Sequence, residues 1–224
     1  AASLTMLSAG AVSLGRATDG TTDVATVNFG SPGNEFTVST LGVANEETLT
    51  INSASTTDGG AANTITSLTG TDLTSLTIAG TRDLTISAIT GTALATVDAS
   101  GLSGTGTQLS ISAANSTADM TVTGAAGVES STTEVMNNIT TGSGDDAITT
   151  GDYNDTISAG NGDNTVVAGA GDNTITTGRG DDTITAGDGD NTITAGNGDN
   201  TITAGDGDNT ITAGSGDDTV TAGG

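Results

Sequence analysis

From Gly142 to the C-terminus the sequence repeats a nine-residue unit without interruption. One copy, residues 160–168, reads GNGDNTVVA. The first half of each unit combines glycine with acidic or amide side chains, which suits a tight turn that presents oxygen atoms. The second half is a short run rich in Thr, Ile and Val, which is typical of a β-strand. A fixed short period of this kind indicates a solenoid, in which each unit stacks on its neighbours.

We number the unit so that its apolar residue is position eight, and three other positions then carry polar chemistry. Position eight is Ile or Val throughout: Ile148, Ile157, Val166, Ile175, Ile184, Ile193, Ile202, Ile211 and Val220. Position six is Asp or Asn: Asp146, Asp155, Asn164, Asn173, Asp182, Asn191, Asn200, Asn209 and Asp218. Position five is Asp except at Asn154. Positions two and four are glycine except at Tyr153, where we expect a distorted turn.

The charge balance excludes several partners. The chain has 27 Asp and Glu against three Arg, with no Lys, His or Cys. So acidic a chain repels nucleic acid and anionic lipid, and it attracts cations instead. Without cysteine, neither a disulfide nor a thiolate site is possible. No run of eighteen apolar residues occurs, so we expect no transmembrane segment.

The repeat has the chemistry of a calcium site. Calcium is a hard cation that takes six to eight oxygen ligands. Glycine carbonyls at positions two and four, with the side-chain oxygen at position six, can supply them. The candidate ligands are therefore the nine position-six side chains above and these glycines: Gly142, Gly144, Gly160, Gly162, Gly169, Gly171, Gly178, Gly180, Gly187, Gly189, Gly196, Gly198, Gly205 and Gly207. Because the repeats bury few apolar groups and carry fifteen Asp against one Arg, we expect them to fold only with calcium.

Residues 139–224 closely resemble the calcium-binding nonapeptide repeats of RTX proteins, whose motif is G-G-x-G-x-D-x-U-x. The resemblance implies a right-handed parallel β-roll of about five turns. Two units make one turn, and roughly one calcium ion lies at each site between units eighteen residues apart. The chain departs from the motif in two ways: the first glycine is replaced by Ala or Thr, and five of the nine position-six residues are Asn.

The Asn residues are distributed unequally between the two edges of such a roll. Position six reads Asp146, Asn164, Asp182, Asn200, Asp218 along the first edge and Asp155, Asn173, Asn191, Asn209 along the second. Two sites on the second edge therefore receive no carboxylate from this position. Since calcium affinity follows ligand charge, we expect the second edge to bind calcium weakly or not at all. The alternative is that Asp172, Asp190 and Asp208 turn inward and supply the missing charge.

Residues 1–138 form a separate region, rich in Thr, Ala, Ser and Gly, in which short β-type runs end at Gly, Asp or Asn. The predicted strands are 23–29, 36–38, 48–51, 75–78, 84–86, 96–98, 109–111 and 120–122. Their spacing allows an irregular β-solenoid or a β-sandwich. We expect a turn at Pro32 and a connector over residues 127–138. The predicted fold is all-β, an irregular parallel β-solenoid followed by a calcium-binding parallel β-roll.

The sequence offers no candidate for catalysis. It has no His, no Cys and no Gly-x-Ser-x-Gly motif, and its paired carboxylates, such as Asp145 and Asp146, already have a role in the repeat. We therefore expect a protein that is not an enzyme. The composition of the N-terminal region is similar to that of β-solenoid portions of bacterial surface-layer proteins that carry RTX repeats. Segments 73–80 and 97–102 show this similarity best.

This second resemblance implies a structural subunit of an extracellular surface layer, secreted in one step by a Gram-negative bacterium. Calcium would drive its folding and its self-association into a lattice or filament, and a polysaccharide anchor would lie outside this segment. We also expect the chain to be a segment of a longer protein. The alternative is an accessory RTX segment of a type I-secreted toxin, protease or adhesin whose active domain lies elsewhere.

Overall fold

The computed structural model describes residues 2–6, 10–15, 23–29, 36–54, 62–90, 93–104, 108–126 and 135–224. This part of the chain contains no helix, and so none that is long and apolar enough to cross a membrane. Its regular elements are the strands Ala2–Met6 (β1), Gly10–Gly15 (β2), Val24–Phe29 (β3), Thr37–Ala44 (β4), Thr48–Ser53 (β5), Asn63–Ile65 (β6), Leu68–Thr69 (β7), Ser75–Gly80 (β8), Leu84–Ile86 (β9), Ile89–Thr90 (β10), Thr96–Leu102 (β11), Leu109–Ser112 (β12), Thr121–Thr123 (β13), Val135–Thr140 (β14), Ala147–Thr149 (β15), Asn154–Gly160 (β16), Thr165–Ala168 (β17), Thr174–Thr177 (β18), Thr183–Ala186 (β19), Thr192–Thr194 (β20), Thr201–Ala204 (β21), Thr210–Thr212 (β22) and Thr219–Ala222 (β23).

The strands form two sheets, and the chain passes from one to the other as it winds. The first sheet has the order β1-β3-β5-β8-β11-β13-β15-β17-β19-β21-β23. The second has the order β10-β7-β4-β6-β9-β12-β14-β16-β18-β20-β22, with β2 also paired to β4. Every pairing between these strands is parallel. This arrangement confirms the predicted parallel solenoid, because a β-sandwich pairs antiparallel strands.

Turn length separates the irregular part of the solenoid from the repeats. In the repeats each residue pairs with the one eighteen positions away, as Ile175 does with Ile193. Earlier in the chain the turns are longer and uneven: Leu49 pairs with Leu76, and Leu76 with Val97. The eighteen-residue register confirms that two nonapeptides make one turn of a parallel β-roll.

The core continues through the end of the irregular part without a break. In the second sheet Ile111 pairs with Ile139 and Ile139 with Ile157. In the first sheet Val122 pairs with Ile148. All five side chains are buried, so the repeats extend a core that the N-terminal turns have already built.

The prediction of a connector over residues 127–138 is wrong for residues 135–138. Residues 135–138 belong to β14, which pairs with β12 and β16. The strand forms because Met136 and Ile139 are buried and Asn137 joins the hydrogen bonds of the core. Residues 127–134 and the turn predicted at Pro32 lie outside the described part of the chain.

Alternating burial explains why the repeats form strands. Positions six, eight and one face the core, whereas positions seven and nine, mostly Thr, face outward. In β19 this gives the order exposed, buried, exposed, buried from Thr183 to Ala186. The Ala or Thr that replaces the first glycine of the motif is therefore a core residue in all but the last repeat.

Candidate metal centre

The position-six side chains lie inside the roll as two columns of hydrogen-bonded groups. On the first edge, Oδ1 of Asn164 accepts the backbone N–H of Asp146 at 3.1 Å, and Oδ1 of Asp182 accepts that of Asn164 at 2.9 Å. On the second edge, Oδ1 of Asn191 accepts the N–H of Asn173 at 3.1 Å. All five side chains are buried. Each position-six oxygen thus caps the backbone of the preceding turn.

Position five forms two exposed columns that run in the opposite sense. Oδ1 of Asp163 accepts the backbone N–H of Asp181, and Oδ1 of Asp181 accepts that of Asp199, both at 2.8 Å. On the second edge Asp172 caps Asp190 in the same way. The inward rotation considered for Asp172, Asp190 and Asp208 does not occur, since all three are exposed.

On the second edge the asparagine amides fill the space between the glycine carbonyls. Nδ2 of Asn191 donates to the carbonyl oxygens of Gly187 and Gly189, each at 3.0 Å. The same pattern recurs eighteen residues before and after it, at Asn173 and Asn209. Because Oδ1 accepts a backbone N–H at Asn173 and Asn191, the orientation of the amides is determined by the hydrogen bonds.

The aspartates on the first edge leave a buried carboxylate oxygen without a donor. Oδ2 of Asp146 and Oδ2 of Asp182 are both buried, and neither makes a hydrogen bond. Burial raises the pKa of Asp146, and the carboxylates of Asp119 and Asp145 raise it further. Two nearby donors lower this pKa, the Thr141 hydroxyl and the Met120 backbone N–H. The Thr141 hydroxyl donates to the carbonyl of Ala159 and the Met120 N–H to Oδ1, so Oδ2 of Asp146 stays without a donor. An unpaired buried charge is costly, so these oxygens fit a bound cation.

Glycine at position four allows the turns to stack closely. Gly180 has φ of 129°, and a Cβ on it would lie 2.2 Å from the carbonyl oxygen of Gly162. The backbone N–H of Gly162 in turn donates to the carbonyl of Arg179 at 2.7 Å. Successive turns of the first edge therefore stack in direct backbone contact at position four.

Tyr153 occupies a glycine position and alters its turn, as predicted. It keeps a positive φ, 84°, and its side chain is exposed. The strand that follows, β16, begins directly after it at Asn154 and is longer than the strands of the other repeats. The register between β14 and β16 also shifts at this point.

The available ligands are mostly backbone oxygens. Among the described residues no three His, Cys, Asp or Glu side chains are grouped so that they could hold a metal ion. A hard cation here would combine one carboxylate with glycine carbonyls, which is the donor type that calcium accepts. The Asp146 and Asp182 turns fit this requirement, whereas the glycine carbonyls of the Asn191 turn already accept amide hydrogens.

Two groups in these columns were not predicted from the repeat alone. Asp119 caps the backbone N–H of Asp145 at 2.9 Å, so it occupies position five of an irregular turn. Asn137 donates its N–H and its amide to Oδ1 of Asp155 at 3.0 and 2.8 Å, so it occupies position six. An Asn two residues before a buried Ile is the signal for the second, and it recurs in the repeats.

Comparison with family models agrees with this geometry. The model of the RTX calcium-binding nonapeptide repeat (4 copies) matches residues 140–175, 167–202 and 194–224. Comparisons with curated proteins and with solved structures give no match. Repeats of this kind bind calcium and are typical of secreted proteins, which indicates an extracellular protein. Over residues 140–224 the chain is thus made of RTX calcium-binding nonapeptide repeats.

Proposed function

We propose that this chain is a structural, non-catalytic component of a bacterial surface layer or a similar extracellular assembly. Calcium drives its folding outside the cell and its association with further copies. The number of ions is roughly one for each inter-turn site that offers a free carboxylate. The proposal extends the calcium binding and secretion typical of RTX repeats to a specific place and partner, a second copy of the same chain.

The outer face of the second sheet carries this proposal. One column on this face holds a Thr, Ser or Asn on each of nine successive strands and no charged residue: Thr37, Thr64, Thr85, Ser110, Asn138, Thr156, Thr174, Thr192 and Thr210. A neighbouring column, Ser112, Thr140, Ser158, Thr176, Thr194 and Thr212, is also uncharged. We call these two columns the hydroxyl face.

The hydroxyl face is an uncharged surface through which copies of an acidic chain can associate. The net charge is −24, which opposes association in most orientations. In the roll the carboxylates lie at the turns, while Thr at positions seven and nine covers the sheets. Copies can therefore pack through neutral faces while calcium reduces repulsion between the acidic edges.

Assembly of the full chain tests the proposal. Light scattering and electron microscopy with millimolar calcium should show ordered lattices or filaments that disperse in chelator. T192E places a charge on the hydroxyl face and should prevent assembly. S143E adds the same charge at an exposed turn position and should still assemble. A chain that stays monomeric at saturating calcium would refute the structural role.

The RTX match to residues 140–224 also fits a second candidate, an accessory segment of a secreted toxin, protease or adhesin. In that case calcium would fold the chain but would not assemble it. A calcium-folded monomer in the same experiment supports this candidate.

A further inference from the structure

The nonapeptides are of two kinds, distinguished by two core positions that change together. Position one is Thr in three repeats, and position six is then Asp: Thr141 with Asp146, Thr150 with Asp155, and Thr177 with Asp182. Position one is Ala in five repeats, and position six is then Asn: Ala159 with Asn164, Ala168 with Asn173, Ala186 with Asn191, Ala195 with Asn200, and Ala204 with Asn209. We call these Thr/Asp turns and Ala/Asn turns. Only the final repeat combines Ala213 with Asp218.

In the Ala/Asn turns the amide occupies the space beside the glycine carbonyls. The two hydrogens on Nδ2 of Asn191 are shared among three acceptors at 3.0 Å, the carbonyls of Gly187 and Gly189 and Oδ1 of Asn209. On the first edge Nδ2 of Asn164 donates to one glycine carbonyl, that of Gly162, and to Oδ1 of Asp182. Oδ1 of Asn191 accepts the N–H of Asn173. The –NH₂ group thus occupies the place between carbonyl oxygens that a cation would need. A cation could enter only if the amide rotated, which would break the bond from Asn173.

In the Thr/Asp turn of Asp182 the same place holds an oxygen that lacks a partner. Asp182 uses Oδ1 to accept hydrogen bonds from Asn164, but its Oδ2 is buried without any. The Thr177 hydroxyl donates to the carbonyl of Ala195 at 2.5 Å, so its hydrogen is not directed at that oxygen. At Thr150 the buried hydroxyl oxygen also makes no hydrogen bond. The buried carboxylate oxygen of Asp182 is the group that a positive charge would stabilise, and the Thr150 hydroxyl oxygen is available as a neutral ligand.

We propose that calcium binds the roll selectively, at the Thr/Asp turns, and that the Ala/Asn turns are stabilised by their amides without metal. This inference rests on the proposed calcium-dependent role and assigns that calcium to particular turns. The roll then alternates metal-dependent and metal-independent turns along its first edge. Its second edge, from Asn173 to Asn209, is free of metal.

Two substitutions in the full chain, one from Asp to Asn and one from Asn to Asp, test the assignment. Calcium bound per chain is counted by equilibrium dialysis and elemental analysis, and thermal unfolding is followed in chelator. D182N gives the turn an amide like that of Asn191, so it should bind fewer calcium ions and unfold at a higher temperature in chelator. N191D should do the reverse on both measurements. D181N makes the same charge change at an exposed neighbour and should match the wild type.

The outcomes separate this inference from the proposed function. If the wild type binds no calcium, the proposed calcium-dependent function is itself refuted. If the wild type binds calcium but D182N and D181N bind the same number of ions, only the selective assignment is overturned. The assignment is also overturned if N191D binds no additional calcium and keeps the wild-type unfolding temperature in chelator.

Discussion

Glycines of the repeat experience different constraints, although the sequence shows them as equivalent. At Gly180, in position four, the backbone is left-handed and a Cβ would lie 2.2 Å from the Gly162 carbonyl oxygen, so a side chain has no room there. At Gly160, in position two, φ is also positive, and a Cβ would lie 1.8 Å from the Gly142 carbonyl oxygen. At Gly151, also in position two, φ is not in the left-handed range, and a Cβ would meet nothing within 4 Å. Close stacking of the turns therefore excludes a side chain at both positions, with Gly151 as an exception.

Substituting these glycines should separate the two cases. G180A forces a left-handed alanine against the Gly162 carbonyl and should lower the free energy of unfolding by about 1–3 kcal/mol. G151A removes only freedom of the unfolded chain and should be neutral or stabilising by up to about 1 kcal/mol. Thermal unfolding of the calcium-loaded chain measures both. Equal unfolding temperatures for the two variants would contradict the stacking argument.

Tyr153 is a residue other than glycine that has a left-handed backbone at position four. A left-handed residue that is not glycine costs about 1–2 kcal/mol, and glycine costs about 0.5–1 kcal/mol through its greater freedom in the unfolded chain. Y153G should therefore raise the unfolding temperature slightly, while Y153F should leave it unchanged. A lower unfolding temperature for Y153G would mean that the tyrosine ring contributes contacts that outweigh its backbone strain.

At the scale of the strand, β14 is the point from which one core column is polar on every strand. The inward column of the second sheet reads Asn63, Leu84, Leu109, Asn137, Asp155. Asn137 is bonded on both sides, because its Oδ1 also accepts the N–H of the buried Ala125 at 2.6 Å. This residue therefore joins the irregular turns to the repeats.

Removing that side chain should weaken the junction. N137A leaves the Ala125 N–H buried without its acceptor, which costs about 1–3 kcal/mol. N138A changes the adjacent exposed residue and should stay within about 0.5 kcal/mol of the wild type. Denaturant unfolding of the full chain compares the two variants. Similar values for both would show that the junction does not depend on this side chain.

The sequence predicted most strands of the N-terminal region but missed five of those before β14. All eight predicted runs lie at strands, several of which extend further, such as β4. The strands β1 and β2 were missed although their apolar residues alternate. The short strands β6, β7 and β10 were missed because two or three residues seldom establish a period. β14 was missed because its neighbours Ser130–Thr133 are polar, and its pairing with β12 is not local.

The candidate site was predictable in its residue types but not in its hydrogen bonds. The period identified position six, and the count of Asn suggested unequal edges. The role of position one was not apparent, because its side chain matters only once it is known to face the core. The amide contacts with Gly187 and Gly189 also required the observed turn conformation, since sequence spacing does not determine where a carbonyl points.

For the whole molecule, the solenoid is one continuous stack whose two parts are stabilised differently. The inward columns of the irregular turns contain Leu84, Leu109 and Met120, which are buried without any ion. The same columns in the repeats contain the buried carboxylates of Asp146 and Asp182. In a solenoid each turn contacts only its neighbours, so one part can unfold while the other stays folded.

Removing calcium should therefore unfold the repeats before the N-terminal turns. Circular dichroism of the full chain in chelator should show partial loss of β-structure that millimolar calcium restores. Magnesium should restore it poorly, because it requires a tighter octahedral site and loses its water reluctantly. Limited proteolysis in chelator should cut within residues 139–224 first. Digestion of both halves at equal rates would mean that the continuous core at Ile111, Ile139 and Ile157 couples them into one cooperative unit. An undiminished β-spectrum in excess chelator would contradict the prediction, because the Thr/Asp turns would then also be stable without metal.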